Sequence, residues 1–206
     1  MRDKYRCFSD LLASEQEGRA YERKLMDRDS DIVVIAPHGG GIEQGTSEIA
    51  EAVAGEEFSL YCFNGIKRTG NEKLHIASTL FDEPSCVGLV ERSRVVVAIH
   101  GLDSRHNLVY VGGRDGDLKA RFLEALNKAG FEVKEDNSRH SGTFPSNICN
   151  RGDTGRGVQL EITKGLRCTM FQSLKRRGRR TKKLAFHRFV DVIRNVLLDI
   201  QQESNG

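Results

Sequence analysis

The fold is decided at residues 31–50, which read DIVVIAPHGGGIEQGTSEIA. The apolar run 32–36 is rich in β-branched residues, which is typical of a buried strand. Pro37 has no backbone N–H and is expected to stop the hydrogen-bonded ladder of that strand. Thr46 or Ser47 is expected to cap the helix that comes next. The stretch therefore predicts a core strand, a glycine-rich turn and a helix.

Two side chains that commonly bind metals follow this predicted strand. His38 and Glu43 stand five residues apart, with the three glycines 39–41 between them. Open α/β sheets bind their ligands at the carboxyl ends of strands. Imidazole and carboxylate are good zinc ligands, and glycines let the backbone fold tightly enough to direct both at one ion. We therefore predict a catalytic metal site here. A phosphate-binding loop is discounted because the Gly-Lys-Ser/Thr ending of a P-loop is missing.

A second strand repeats this pattern. Residues 94–99, RVVVAI, predict another buried strand, and His100 follows it directly. With His38 and Glu43, His100 makes a His-Glu-His set that leaves a fourth zinc position for water or substrate. The alternative is that both histidines are hydrogen-bonded core or loop residues.

Glu161 is the candidate general base. Residues 158–163, VQLEIT, alternate so that the apolar side chains share one face of a strand and Glu161 points to the other. A carboxylate late in a strand suits a base that takes a proton from a metal-activated water. An ordinary solvent-facing glutamate fits the same alternation.

A candidate carboxylate-binding pair lies upstream of that strand. Asn150 and Arg151 are adjacent in the loop NICNRG, residues 147–152. A guanidinium can bind a carboxylate through two parallel hydrogen bonds, or stabilise a developing oxyanion. On spacing alone, a plain surface arginine is the alternative.

The order of elements predicts the fold class. Strands alternate with helices, which indicates a single-domain α/β three-layer sandwich over residues 1–206, around a mixed, largely parallel central sheet. The further predicted strands are 21–26, 58–63, 107–111 and 131–133, and the further predicted helices are 5–17, 84–91, 117–129 and 184–200.

Composition excludes several classes of protein. The hydrophobic fraction of 38% and the charged fraction of 30% are typical of a globular protein in water, and no apolar run approaches the roughly 20 residues of a membrane span. The N-terminal residues lack the apolar core of a secretory signal, so cytoplasmic synthesis is expected. Five dispersed cysteines without a CxxC pair predict free thiols, although the sequence alone does not exclude a single disulfide between two of them. A monomer is expected.

The net charge is only +3, but the positive charges are concentrated in one basic segment. Residues 175–183 read KRRGRRTKK and predict a solvated surface loop, or a site for nucleic acid or another polyanion. No aromatic residue lies within the segment, so a base-stacking surface is not indicated and nucleic acid is not the expected partner.

Taken together, the motifs resemble a known family. PHGGGIEQGTSEIA, VVVAIHG, YVGGRD, NICNRG and GVQLEIT occur in order over most of the chain and resemble the phage-type poly-γ-glutamate hydrolases. The resemblance implies a carboxypeptidase-like α/β fold and a zinc ion held by His38, Glu43 and His100. It also implies that Glu161 is the general base. Asn150 and Arg151 resemble the carboxylate-recognising pair of the wider carboxypeptidase-like superfamily.

The substrate that this resemblance implies is anionic. Poly-γ-glutamate carries a free α-carboxylate on every residue, so basic side chains should guide it. The candidate contacts are Arg105, Arg114, Arg151, Arg156 and the basic segment, and His75 and His140 are expected to border the site. A phage enzyme would need no secretory signal, because cell lysis releases it.

Two other functions fit the same residues. The first is a zinc amidohydrolase acting on small N-acyl amino acids or on cell-wall peptides with γ-glutamyl linkages, which would use the same catalytic set. The second is a protein without catalytic activity that binds nucleic acid or another polyanion through residues 175–183. Such binding would be sensitive to salt and would survive the loss of His38 and His100.

Overall fold

The structure is a computed structural model that describes residues 3–138 and 141–205. His140 lies outside the described residues. The strands of the described chain are β1 (Tyr21–Met26), β2 (Ile32–Gly40), β3 (Ser59–Gly65), β4 (Val95–Leu102), β5 (Val109–Gly113), β6 (Val133–Glu135) and β7 (Val158–Thr163). The helices are α1 (Phe8–Leu12), α2 (Thr46–Ala54), α3 (Pro84–Glu91), α4 (Gly116–Lys128), α5 (Lys164–Met170) and α6 (Leu184–Asn205). Single turns of 3-10 helix lie at Asn71–Leu74, Ile148–Asn150 and Gly178–Arg180.

The seven strands form one sheet in the order β1-β3-β2-β4-β7-β5-β6. The central pairs β3-β2, β2-β4 and β4-β7 are parallel, as is the edge pair β5-β6, whereas β1-β3 and β7-β5 are antiparallel. The predicted mixed, largely parallel sheet is confirmed. Parallel neighbours bring the carboxyl ends of β2, β4 and β7 to the same edge, where the candidate site lies.

Helices cover both faces of this sheet, which confirms the three-layer sandwich. On β2, Ile32 and Val34 pack into one core together with α2, α4 and α6, while Val33 and Ile35 pack into a second core with α1 and α3. All four side chains are fully buried. Burial of each such side chain contributes about 1.5–3 kcal/mol, so both faces of the strand hold it in register. No helix in the described part of the chain is both long and apolar enough to span a membrane.

Two local predictions at the deciding stretch are wrong. Pairing of β2 with β4 ends at Ile35, but pairing with β3 resumes at Gly39 after a register shift that contains Pro37. The missing N–H of proline is therefore accommodated by an irregularity, and the strand continues to Gly40. Gly45 occupies the N-cap position of α2, and no side chain caps that helix.

Strand β4 also extends beyond its predicted end. It continues to Leu102, so His100 lies within the strand and is in register with Glu161 of β7. The helix α5 was not predicted. Its start is marked by Thr163, whose hydroxyl accepts a hydrogen bond from the backbone N–H of Leu166. All five cysteines are free, and Cys62, Cys86 and Cys149 are buried.

Candidate metal centre

The predicted ligands and the predicted base meet in one cleft. This metal cleft, of about 490 Å³, lies at the carboxyl ends of the central strands, and its lining includes His38, Glu43, His100 and Glu161. The two histidines come from β2 and β4, and Glu161 comes from β7. The two histidines are each only 2% exposed. The structure thus brings together residues from three segments, 38–43, 100 and 161, that are far apart in sequence.

The donor atoms of the His-Glu-His set have the spacing of a zinc site. His38 Nδ1 lies 3.1 Å from Glu43 Oε1 and 3.2 Å from His100 Nδ1, and His100 Nδ1 lies 3.6 Å from Glu43 Oε2. Ligands placed tetrahedrally at the usual zinc distances stand about 3.3 Å apart. The observed donor set therefore fits a single zinc-sized cation.

The hydrogen bonds around His38 support the same conclusion. Its Nε2 lies 2.8 Å from the carbonyl oxygen of Ile76, which can only accept, so Nε2 carries a proton. In the neutral imidazole, Nδ1 then presents a lone pair to the carboxylate of Glu43. Two electron pairs facing each other repel unless a proton or a metal cation lies between them. Such a fixed outer hydrogen bond is typical of metal-bound histidines.

Glu43 is oriented by the strand that carries His100. Its Oε2 accepts a hydrogen bond of 2.8 Å from the backbone N–H of Gly101. Burial alone would raise the pKa of the Glu43 carboxyl, but the neighbouring His38 and His100 hold that pKa well below its usual range. Burial likewise opposes the charged form of His100, and the adjacent Glu43 carboxylate reverses the effect and raises the pKa of His100. Glu43 is therefore ionised, as a metal ligand must be.

His75 is a third imidazole in the metal cleft, as predicted for a residue bordering the site. Its ring lies over that of His38 with a centroid distance of 3.9 Å, and its Nδ1 is 2.8 Å from Asp3 Oδ1. The nearby His38 and partial burial lower the pKa of His75 to about 4. Donor atoms of His38, Glu43 and His75 lie within 4.8 Å of one another, so this trio is a second potential metal set. Because His75 Nε2 is 4.0 Å from Glu43 Oε1, the distances favour His100 as the third ligand.

The segment 38–43, here called the chelate loop, is a tight turn held by backbone hydrogen bonds. The N–H of Glu43 donates to the carbonyl of His38 over 2.8 Å, and the N–H of Gly41 donates to the carbonyl of Gly65 over 2.8 Å. Gly40 has a φ of +65°, and a Cβ there would lie 2.5 Å from the carbonyl oxygen of Gly65. A residue with a side chain cannot occupy that position without moving the loop.

Replacing Gly40 by Ala is expected to lower the free energy of unfolding by about 2–5 kcal/mol and to weaken zinc binding, because left-handed backbone strain and the clash with Gly65 add together. Gly70→Ala is the matched control. Gly70 has a similar φ of +77°, but nothing lies within 4 Å of a Cβ there. This control should cost only about 1–2 kcal/mol and leave zinc binding intact. Urea denaturation measures the unfolding free energy and zinc titration measures the affinity. Equal losses of both quantities in the two variants would contradict the steric role of Gly40.

Glu161 faces the metal cleft, as the alternation of β7 predicted. Its neighbours Leu160 and Ile162 are buried in the core on the opposite face of the sheet. Burial raises the pKa of the Glu161 carboxyl to about 7, while the nearby His100 moderates the rise. A carboxyl with a pKa near neutrality can both accept and donate a proton, which is what a general acid and base needs.

The raised pKa makes a prediction for the stability of the metal-free protein. The pKa of Glu161 is about 7 in the folded state, against an ordinary 4.5. The folded state therefore holds this proton more tightly, and the associated stability is present below about pH 4.5 and lost as the pH rises through about 7. Relative to Glu161→Gln, wild-type protein should lose roughly 1–3 kcal/mol of unfolding free energy between about pH 4.5 and pH 8. Urea titrations of both proteins at the two pH values measure the difference, and a pH-independent difference would contradict the burial of this group.

The predicted carboxylate-binding role of Arg151 is not supported by its position. Arg151 is not among the residues that line the metal cleft. Its guanidinium lies 2.9 Å from Glu91 and donates to the carbonyl of Phe81 over 3.4 Å. The loop turns this side chain towards α3, where the carboxylate of Glu91 compensates its charge. The structure therefore does not bring Arg151 to the metal cleft, and its contact with substrate stays a prediction.

Asn150 supports the wall of the cleft and has no free polar group for a ligand. It is buried, its amide donates to the carbonyls of Gly142 and Phe144, and its side-chain oxygen accepts from the N–H of Arg114. Gly142 and Phe144 line the metal cleft. The amide thus holds the segment that forms one side of the site. In this structure the contacts of Asn150 are positioning contacts, and its direct contact with substrate stays a prediction.

The remaining predicted arginines lie outside the metal cleft. The side chains of Arg105, Arg114 and Arg156 are exposed, and none of the three lines the cleft. The structure therefore does not bring them to the site where the sequence placed them. From these positions they act on a molecule bound in the cleft only through long-range attraction, which salt screens.

Arg167 is a site residue that the sequence reasoning missed. It is buried in the last turn of α5, and its guanidinium donates to the carbonyls of Gln44, Leu102 and Ile162. These three carbonyls belong to the residue that directly follows the chelate loop and to the ends of β4 and β7. Burial lowers the pKa of Arg167, while the negative charges of Glu43 and Glu161 oppose the effect. One cation therefore joins the three segments that carry the predicted ligands and the predicted base. The sequence feature that could have located Arg167 is Thr163, which caps the unpredicted helix α5 that contains this arginine.

Comparison with known proteins identifies relatives that match most of the chain. The family model described as poly-γ-glutamate hydrolase matches residues 5–192. The structure of a bacteriophage poly-γ-glutamate hydrolase is similar with a TM-score of 0.94 and 31% identity, covering 98% of this chain and 99% of that chain. A zinc-free apo structure of YndL is similar with a TM-score of 0.89 and 36% identity, covering 95% and 98%. The SPbeta prophage-derived UPF0714 protein YoqZ of Bacillus subtilis (strain 168) is 37% identical over 194 residues, which span 93% of this chain and 70% of that protein.

Proposed function

The chain belongs to the poly-γ-glutamate hydrolase family, and from this membership we propose that it is a zinc-dependent hydrolase that cleaves the γ-glutamyl amide bonds of poly-γ-glutamate. The observation that carries the proposal is the convergence of His38 Nδ1, His100 Nδ1 and the Glu43 carboxylate at distances of 3.1–3.6 Å. The likeness to a YndL structure described as zinc-free supports the choice of metal.

In this proposal His38, Glu43 and His100 hold the metal. Zinc bound there would act as a Lewis acid on the scissile carbonyl and lower the pKa of a water molecule. Gly101 and Ile76 fix the orientation of two of the ligands through their backbone groups. The site is also nearly closed to bulk water on the histidine side, because His38 and His100 are each only 2% exposed. Low exposure strengthens electrostatic interactions within the cleft.

Glu161 performs the proton transfers. Its carboxylate takes one proton from the attacking water as the oxygen of that water bonds to the γ-carbonyl carbon. It then delivers the proton to the amide nitrogen as the C–N bond breaks, so that the products are a carboxylic acid and an amine, and transfer of the acid's proton to the amine gives carboxylate and ammonium. Burial raises the pKa of this carboxyl above its usual range in the metal-free protein, which supports its role as a proton carrier.

Substrate comparison tests the choice of bond. The proposal predicts that poly-γ-glutamate is cleaved, whereas α-linked poly-glutamate and small N-acyl amino acids are cleaved far more slowly. Matched concentrations of the three substrates and detection of newly formed amines give the relative kcat/KM values. Faster cleavage of the small N-acyl amino acids would replace the proposed function by the smaller amidohydrolase activity that uses the same residues.

A further inference from the structure

A second cleft lies on the other side of the chelate loop. It measures about 550 Å³ and contains cations from two segments of the chain. We call it the basic groove, and its cations are Lys67, Arg68, Lys175, Arg176, Arg179 and Arg180. Four of these residues come from the basic segment 175–183, which has no part in the metal centre. The groove therefore gives that segment a defined place in the fold.

A thin wall separates the basic groove from the metal cleft. His38 and Glu43 line the metal cleft, whereas Gly40, Gly41 and Gln44 line the groove. Neighbouring residues of one short segment thus face the two cavities in turn. The two cavities are therefore close enough for one extended chain molecule to contact both.

The basic segment is built into the fold and is only partly the predicted surface loop. Arg179 is 6% exposed, its Nε lies 2.6 Å from Glu48 of α2, and its Nη1 donates to the carbonyl of Leu174. A bridge between Phe171 and Lys182 closes the base of the segment. This buried ion pair holds the segment against the helix that follows the chelate loop, so the neighbouring cations are presented at a fixed place.

The groove has an excess of uncompensated positive charge. Arg68, Lys175, Arg176 and Arg180 have no acidic partner among the side chains of residues 3–138 and 141–204. The groove also contains three acids. Two of them are already paired, Glu48 with Arg179 and Glu51 with Lys24, which leaves only Glu22 without a basic partner in that same part of the chain. The free cations outnumber the free acid, so the groove suits an anionic ligand.

We propose that the basic groove binds α-carboxylates of the poly-γ-glutamate chain beyond the bond that is being cleaved. The proposal rests on the proposed function, because it assigns to the groove a distal part of the same substrate. Each residue of that polymer carries one carboxylate, and the groove offers cations from two separate segments of the chain, Lys67 and Arg68 from the segment after β3 and the others from the basic segment. Binding there holds a long chain in register without contacting the reacting atoms.

The lining of the groove favours a polycarboxylate over a nucleic acid. None of the described residues that line it is aromatic, so bases find no surface on which to stack. Glycine and polar side chains, among them Asn64 and Asn71, make up much of the remaining wall. The groove therefore offers charge and hydrogen bonding, which are the interactions that carboxylates use.

The test compares two double variants of the basic segment with equal changes in net charge. Arg176→Ser with Arg180→Ser removes two groove cations, whereas Arg177→Ser with Lys183→Ser removes two exposed cations that do not line the groove. Binding of end-labelled poly-γ-glutamate is measured by fluorescence anisotropy in a Glu161→Gln background, so that the polymer stays intact. The groove variant should bind about 5–30-fold more weakly, and the control should stay within about twofold.

Kinetics of the two variants with Glu161 intact separate this proposal from the proposed function. The groove variant should show a raised KM for long polymer, with kcat for the polymer and kcat/KM for a γ-glutamyl dipeptide unchanged. If both double variants cleaved the polymer with equal KM values, the assignment of the groove would be overturned, while the proposed hydrolase function would stand. Tighter binding of single-stranded DNA than of polymer, lost only in the groove variant, would overturn it in favour of a nucleic-acid site. A wild-type protein that fails to cleave the polymer contradicts the proposed function itself.

Discussion

Replacing Glu161 by Gln is expected to lower kcat for poly-γ-glutamate by about 10²–10⁴-fold. The substitution keeps the shape of the side chain but removes its ability to accept a proton from the attacking water. Because Glu161 is not a predicted metal ligand, the zinc content of the variant should equal that of wild type. KM should change little, since the carboxylate acts mainly on the reacting water. Steady-state kinetics with metal analysis of the same preparations measure both quantities.

The matched control for this substitution is Glu124→Gln, which changes an exposed carboxylate on α4. It removes the same charge far from the cleft and should leave kcat within about twofold, because exposed charges act weakly through solvent. If Glu161→Gln retained a third or more of the wild-type kcat, Glu161 would not be the base. A loss of zinc in that variant would instead assign Glu161 to the metal shell.

The second large effect is expected on metal binding. Replacing His38 or His100 by Ala should lower zinc affinity by roughly 10²–10³-fold, if the ligands contribute comparably to the free energy of a protein zinc site. Activity should fall with metal occupancy. His75→Ala should keep its zinc, because His75 Nε2 lies 4.0 Å from the nearest Glu43 oxygen and its Nδ1 contacts Asp3.

Competition against a chromophoric chelator measures the three affinities under one condition. Circular dichroism of each metal-free variant checks that the substitution has not unfolded the protein. If His75→Ala lost zinc and His100→Ala kept it, the third metal ligand would be His75 and not His100. The metal set would then be His38, Glu43 and His75, which also lie within reach of one ion.

Sequence patterns predicted the sheet because its strands are buried on both faces. The runs at β2 and β4 are nearly continuous in β-branched residues, and such runs have few other places in a globular fold. The same logic placed His38 and His100 at one edge of the sheet, since parallel neighbours end together. The sequence patterns did not predict the local backbone irregularity at this edge of the sheet. Pro37 is accommodated by a register shift, which depends on how the neighbouring strand β3 pairs and is invisible in the sequence of β2 alone.

The arginines show why the rest of the site could not be predicted. Arg151 sits in a motif that suggested substrate binding, yet its guanidinium is compensated by Glu91, which is 60 residues away in sequence. Arg167 lies in no recognisable motif, yet it joins three segments through their backbone carbonyls. The direction of a long, flexible side chain is set by tertiary partners, and sequence spacing carries little information about them.

The basic segment illustrates the same limit at a larger scale. From composition alone, residues 175–183 are one charged run with no internal distinction. In the fold, Arg179 is buried against Glu48, while its neighbours Arg176 and Arg180 remain exposed in the groove. A single acidic residue on α2 thus separates a structural arginine from those available to a ligand.

The most direct test of the central claim is metal-dependent cleavage of the polymer. Wild-type protein is incubated with poly-γ-glutamate in three portions: as purified, after removal of metal with a strong chelator, and after zinc is restored. The products are sized by gel filtration. We predict that the polymer is shortened in the first portion, stays intact in the second and is shortened again in the third. Polymer that stays intact in all three portions, or cleavage that is indifferent to the chelator, would contradict a zinc-dependent γ-glutamyl hydrolase.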